Sequence, residues 1–243
     1  MNYFDKIDDP RRRWLIQALG AGYFSTLPMA QALAQVLGSR PEKLPEGRSV
    51  YRVQGRVLVD GKEANLQTQV TPTSTIETSS NGEIVYVQNQ NSYIQRANSR
   101  VTLERAERPQ GGFAQSLNLL AGAILSVFPR GTPMQLKTKT ATVGIRGTGV
   151  YLEADPEQTY FCTCYGVADV SANEDSQSKD TVAATHHDRP LYILANEPKG
   201  RNIRKAPFIN HTDQELMLVE TLVGRKPPFI FPKDDYGGPR RDY

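Results

Sequence analysis

A chain of 243 residues, 38% hydrophobic and 23% charged, carries enough apolar material to bury a domain-sized core, and Gly (19) and Pro (16) are too sparse for a fibrous or low-complexity chain. Its net charge of +3, from 29 basic and 26 acidic residues, is too small and too mixed for a dedicated nucleic-acid binder. Two Cys separated by one residue cannot staple distant segments, which excludes a disulfide scaffold.

Residues 1–34 read as an address. Arg11, Arg12 and Arg13 directly precede Trp14-Leu15-Ile16, a mildly apolar run continues to about Ala30, and the small-x-small sites Ala30-Gln31-Ala32 and Ala32-Leu33-Ala34 follow. That order of basic, apolar and small residues is a secretory signal peptide. The Arg11-Arg12 pair, followed by an aromatic residue and a Leu, resembles the twin-arginine export signal, which implies a periplasmic destination. No other stretch approaches membrane length, so the chain is not polytopic and no membrane span is expected in the mature part.

From residue 50 onward, period-2 alternation dominates. Val50–Val59 is β-branched and breaks at Asp60-Gly61, a strong hairpin signal. Leu66–Thr71 reads as a further strand, Ser80-Asn81-Gly82 as a turn, then Ile84–Val87, Ser92–Ile94 and Arg100–Glu104 as strands. Short strands about ten residues apart predict a sandwich or barrel. Phe113, Leu117 and Leu120 instead have helical spacing, which predicts a short helix near 113–121. Ala123–Phe128 resumes as a buried strand. Met134, Leu136, Thr138, Thr140 and Thr142 alternate into a strand that runs on to Glu153, and Thr159–Val170 forms another. The acidic, serine-rich stretch 171–180 predicts a mobile loop, and Leu191–Leu194 a last short strand. Thr212 with Glu215 three residues later is a capping box, so 213–223 should be a helix stopped by Gly224. Pro227, Pro228 and Pro232 with Phe229 and Phe231 make an extended, apolar tail. The expected organisation is a signal at 1–34, a mainly β domain over 48–195, and a C-terminal helix and tail over 196–243.

The stretch Thr140-Ala141-Thr142-Val143-Gly144-Ile145-Arg146-Gly147-Thr148-Gly149-Val150-Tyr151, the closing strand Tyr165–Val170 and the upstream run Leu120–Val127 together resemble the FecR-like domain. The resemblance covers roughly 48–170. It implies a jelly-roll-like β sandwich, a periplasmic location and a role in ligand or stress sensing, without catalysis. The chain lacks the cytoplasmic helical domain and internal span of the signalling members, so it resembles a stand-alone exported form. Read from the residues, Gly144, Gly147 and Gly149 let strands kink or approach closely, and Arg146 and Thr148 among them belong to the same structural motif, Arg146 expected to be hydrogen-bonded.

Both Cys and all three His fall within 162–211. Cys162 and Cys164, at i and i+2 of a strand, point their thiols to one face. Their Cα atoms would lie about 6.6 Å apart, so a disulfide needs a bent strand. Two thiolates with one or two imidazoles suit Zn or Cu. His186-His187 follows about 22 residues later, and His211 is a further candidate ligand. Neighbouring His on an extended chain face opposite ways, so one of the pair joins the Cys unless the pair sits on a turn. Plain core packing and a strained, reducible disulfide are the competing readings.

No Gly-x-Ser-x-Gly, His-Glu-x-x-His or phosphate loop is present. The expectation is a non-enzymatic binding or sensing protein of the bacterial envelope. Its partner would be an envelope protein or a small ligand, with no nucleic acid. A structural interaction module and a thiol redox protein using Cys162 and Cys164 are the alternatives.

Overall fold

Fully buried strands read differently from half-buried ones, and this chain contains both. The computed structural model describes residues 41–105 and 114–228, except for the side chains of 114 and 115. The export signal expected over 1–34 (Arg11 and Arg12 included), Phe113, and the tail from 229 lie outside them. All the elements described belong to one compact unit, Glu42–Tyr243.

The described residues form fifteen strands and one helix. In chain order these are β1 (Val50–Gln54), β2 (Val57–Val59), β3 (Lys62–Glu63), β4 (Thr75–Thr78), β5 (Glu83–Gln88), β6 (Asn91–Gln95), β7 (Arg100–Arg105) and β8 (Ala114–Val127). After them come β9 (Pro133–Lys137), β10 (Ala141–Arg146), β11 (Gly149–Ala154), β12 (Gln158–Ala172), β13 (Lys179–Ala184), β14 (Leu191–Leu194), β15 (Ile203–Lys205) and α1 (Asp213–Leu222). The fold is mainly β, a sandwich of two sheets that share their two longest strands.

The first sheet runs β1-β5-β6-β8-β11-β12-β14-β15 and is antiparallel throughout. The second runs β3-β2-β4-β7-β8-β9-β10-β12-β13, with the β8–β9 pair parallel and the rest antiparallel. Strand β8 leaves the second sheet for the first at Gly122 (φ +84), and β12 makes the reverse crossing at Gly166 (φ +94). Both need the left-handed backbone that glycine reaches without a Cβ penalty. A Cβ on Gly122 would also fall 2.1 Å from Ser99 Oγ.

Burial separates the two sheets. In the second, strands alternate as a one-faced sheet should, for example β4, β7 and β10. In the first, β5, β6 and β11 are buried almost continuously. Alternate residues there join different cores: Ile84, Ile124, Val150 and Phe161 pack between the sheets, while Val85, Leu125, Tyr151 and Cys162 pack on the opposite face. That outer face is covered by Leu216, Val219 and Leu222 of α1 and by Phe208 and Ile209 before it. The molecule therefore has three layers: sheet, sheet, and a C-terminal strap. Among the described residues no helix is long and apolar enough to cross a membrane.

Three local expectations are corrected. The helix near 113–121 is the first half of β8. Leu117 and Leu119 both enter the core while Leu120 is exposed, a period of two imposed by pairing with β7 and β9. Leu66–Thr71 is irregular: Asn65 Oδ1 accepts from Gln67 N and Thr68 Oγ1 from Asn65 N, so side chains take over the backbone groups a strand would use. The stretch 171–180 is a tight hairpin from β12 to β13, folded around Asp175, whose carboxylate accepts from Gln177 N, Ser178 Oγ and Gly200 N. The helix from its Thr212–Glu215 capping box appears as α1, with both reciprocal bonds formed. Asp60-Gly61 closes β2 to β3 with both residues at positive φ, as a type I′ turn requires.

Candidate metal centre

Strand β12 carries one residue more than β11 at their junction: Gly149 pairs Tyr165, whereas Val150 pairs Thr163. The extra residue is Cys164, which shares the outer face with Cys162 by the strand's period of two, and the bulge brings the next residue, Tyr165, to that face as well. Both thiols are free and fully buried.

The imidazoles arrive from two directions. After β13, Asp188 Oδ2 accepts from Thr185 N, Thr185 Oγ1 and His186 N, tightening residues 185–188 into a turn. His187 there takes φ +53, an uncommon conformation for a non-glycine residue, and its N–H donates to the carbonyl of bulged Cys164 at 2.9 Å. His211 comes from the strap, just after Asn210 at φ +63. Its ring stacks on Tyr151 at 4.4 Å between centroids, and Phe208 packs on His187 at 4.3 Å.

Four donor atoms meet. Cys162 Sγ lies 3.4 Å from His187 Nδ1, Cys164 Sγ 3.4 Å from His211 Nε2, and the two imidazole nitrogens are 3.1 Å apart. All four lie within 4.8 Å of one another and all four residues are buried. Bonds of about 2.0–2.3 Å from a tetrahedral ion to N and S imply donor–donor edges of roughly 3.3–3.8 Å. The two S–N edges of 3.4 Å fall in that range, and the N–N edge of 3.1 Å is a little shorter.

The outer hydrogen bonds fix which nitrogen faces inward. His211 Nδ1–H donates to the Ile209 carbonyl at 2.8 Å, which leaves Nε2 with its lone pair toward the cluster. His187 Nε2–H donates to Asp213 Oδ1 at 3.1 Å, which puts its Nδ1 lone pair inward. A carboxylate or carbonyl behind each ligating imidazole is the outer arrangement that metal-bound histidines use.

The electrostatics point the same way. Burial pushes the Cys162 thiol up, but hydrogen bonds from Cys164, His187 and His211 outweigh it and hold the thiol well below its ordinary value. Burial, and then Cys162 beside it, hold Cys164 well above. Burial acts to lower His187, yet Cys162 and Asp213 together raise it. Cys162 is thus held toward thiolate and Cys164 toward thiol, so a second thiolate needs a cation beside it.

Of the candidate ligands, the structure brings together Cys162, Cys164, His187 and His211. His186 stands outside this group. It is partly exposed, and its Nε2 donates to both oxygens of Asp213 at 2.9 Å. Asp213 escaped the sequence reading, although its place in the first turn of a capped helix two residues past His211 was the available signal.

The Gly144–Thr148 motif has a structural role. Gly144 sits mid-strand in β10, opposite Gln135 and Asp169. Arg146 is exposed and lies 3.4 Å from Asp169 Oδ2, a contact that contributes little to stability. Gly147 (φ +70) carries the chain from β10 in the second sheet to β11 in the first, and buried Thr148 Oγ1 donates to the Val167 carbonyl at 3.1 Å.

No family model and no curated protein matches the chain. Among solved structures, two crystal structures of a "putative anti-sigma factor" from Parabacteroides distasonis are similar to it, at 14% and 13% identity. Each alignment covers 68% of this chain and 82% of the other, with a TM-score of 0.43. Likeness at that level does not extend to function.

Proposed function

We propose that the chain is a non-catalytic metal-binding protein that holds one Zn or Cu ion through Cys162, Cys164, His187 and His211 and serves as a binding or sensing module of the bacterial envelope. The carrying observation is the convergence of four buried N and S donors at tetrahedral spacing, with both imidazoles oriented from behind. Two thiolates offset a divalent cation, and imidazole with thiolate suits Zn or Cu over Mg or Ca. A set of four protein donors leaves no open position for substrate, which favours holding the ion over using it in a reaction. The N-terminal Arg11-Arg12 pattern supports export, and the Arg146-Gly147-Thr148 strand context supports a FecR-like sensing role. Burial of both thiols disfavours a redox role, since a thiol–disulfide partner needs access to sulfur.

Elemental analysis of the untagged protein, with the Cys162→Ser/Cys164→Ser variant beside it, tests the reading. One Zn or Cu per chain, lost in the variant, is expected. Co(II) loaded in its place should show thiolate-to-cobalt charge transfer and the intense visible bands of a tetrahedral site. A chain that takes up neither ion and shows no such bands overturns the reading.

A further inference from the structure

The four donors belong to two bodies. Cys162, Cys164 and His187 come from the sheet and the turn that follows β13, whereas His211 comes from the strap. Asp213, the first residue of α1, reaches back to both His186 and His187. We infer that metal in this centre clasps the C-terminal segment 206–223 onto the outer face of the first sheet, and that loss of the metal releases the segment and uncovers that face. The inference rests on the metal-binding reading above.

Two features make the strap separable. Its path from Ala206 to Thr212 has no regular secondary structure, and α1 is only 10 residues long. A helix shorter than about 12–15 residues is marginal in water, so α1 depends on docking for its existence. Undocking is therefore unfolding of α1, and its amides report docking directly.

The other ties are polar and lie around the metal centre. Tyr160 Oη donates to the Pro207 carbonyl at 3.0 Å and Asn210 Nδ2 to Glu153 Oε1 at 2.6 Å, while Glu215 Oε1 meets Arg96 Nη2 at 2.5 Å. Between them Leu216, Val219 and Leu222 close over Val85, Ile94 and Leu125. With a metal bound, lifting the strap breaks the His211 bond and strips Asp213 from the back of His187. Without it, the strap holds by these ties, by Tyr165 Oη donating to Glu220 Oε1 and Leu44 N to the Leu222 carbonyl, and by apolar contact, and two buried thiols and two imidazoles face one another with no cation.

The experiment is amide hydrogen exchange on the full chain, after chelation and with free Zn(II) at 100 times the dissociation constant found by chelator competition. Because an opened strap keeps three of the four ligands, α1 amides over 216–223 should exchange more slowly with Zn(II) than without by the ratio of Zn(II) binding to the closed and open states, up to about 100-fold where the open state holds no ion. Zn(II) that binds yet leaves those rates unchanged overturns the clasp and keeps the metal reading. A chain that binds no Zn(II) overturns both. In His211→Ala, where three ligands remain and Asp213 still backs His187, Zn(II) should still bind but the response of α1 exchange to it should shrink. An undiminished response in that variant with Zn(II) bound also overturns the clasp. Should the variant fail to bind Zn(II), the wild-type comparison decides alone.

Discussion

His187 Nδ1 and His211 Nε2 approach to 3.1 Å although residues 187 and 211 lie on different elements and each ring spends its other nitrogen on an outward acceptor. Two inward lone pairs at that separation repel unless a proton or a metal cation lies between them. The arrangement makes sense around a cation, and it fixes the part played by Asp213, which aligns His187 from behind.

Asp213→Asn should therefore weaken metal binding by about 10–100-fold while leaving one ion per chain at saturation. The amide cannot give His187 the charged acceptor that raises its basicity. Helix α1 should persist, because the Thr212–Glu215 capping box is untouched. Chelator competition gives the affinity, and far-ultraviolet circular dichroism checks the fold.

The two neighbouring histidines should differ. His187→Ala removes a donor and should abolish the tetrahedral Co(II) spectrum. His186→Ala should keep that spectrum and one ion per chain, since His186 touches Asp213 and is not among the four inward donors. Equal loss in both variants would assign the ligand role wrongly.

Arg96, the residue after β6, is buried, and its Nη1 and Nη2 meet Glu83 at 2.8 Å and Glu215 at 2.5 Å. Burial alone would lower its pKa, yet the two carboxylates raise it above the ordinary arginine value. Arg96→Met strands Glu215 and leaves Glu83 with Arg52 alone, and removing one partner of a buried pair costs about 3–5 kcal/mol. Because Glu215 is about a quarter exposed, water offsets part of this, and about 2–3 kcal/mol is expected from urea unfolding of the metal-free chain. Glu215→Gln in the same background should recover some of the loss.

Acid stability should carry the signature of Asp175. Backbone N–H groups of Gly200 and Gln177 and the Ser178 hydroxyl hold its carboxyl below the usual 3.8, against the weaker opposing effect of burial. A folded pKa below the unfolded one adds stability that is present above about pH 4 and is lost as the pH falls through the folded value. Relative to wild type, Asp175→Asn should be less stable near neutrality, with the difference shrinking below pH 4. Unfolding free energies from pH 2.5 to 7 measure it, and a constant difference would contradict the assignment.

Much of this molecule is written in neighbouring residues. Alternation from Val50 through Val170 specifies strands, Asp60-Gly61 a type I′ hairpin, and Thr212 with Glu215 a capped helix, because each depends on chemistry within a few residues. The same local rule places Cys162 and Cys164 on one face. Where local signals conflict, partners decide. Leu117 satisfies both the helical spacing with Phe113 and Leu120 and the strand spacing with Leu119, and only pairing with β7 and β9 chooses between them. The polar run 171–180 reads as a solvent-bound loop until the amide of Gly200, 25 residues from Asp175, gives that carboxylate a partner.

The metal centre lies furthest from local rules. Composition narrows its donors to two Cys and three His, but their convergence needs a bulge at Cys164, a left-handed backbone at His187 and a strap that returns His211 over the sheet. None of these is a propensity of the residues involved. Each is held by contacts from distant parts of the chain, so the donor types were determined by sequence, whereas His187 over His186, and Asp213 behind it, were decided by tertiary structure.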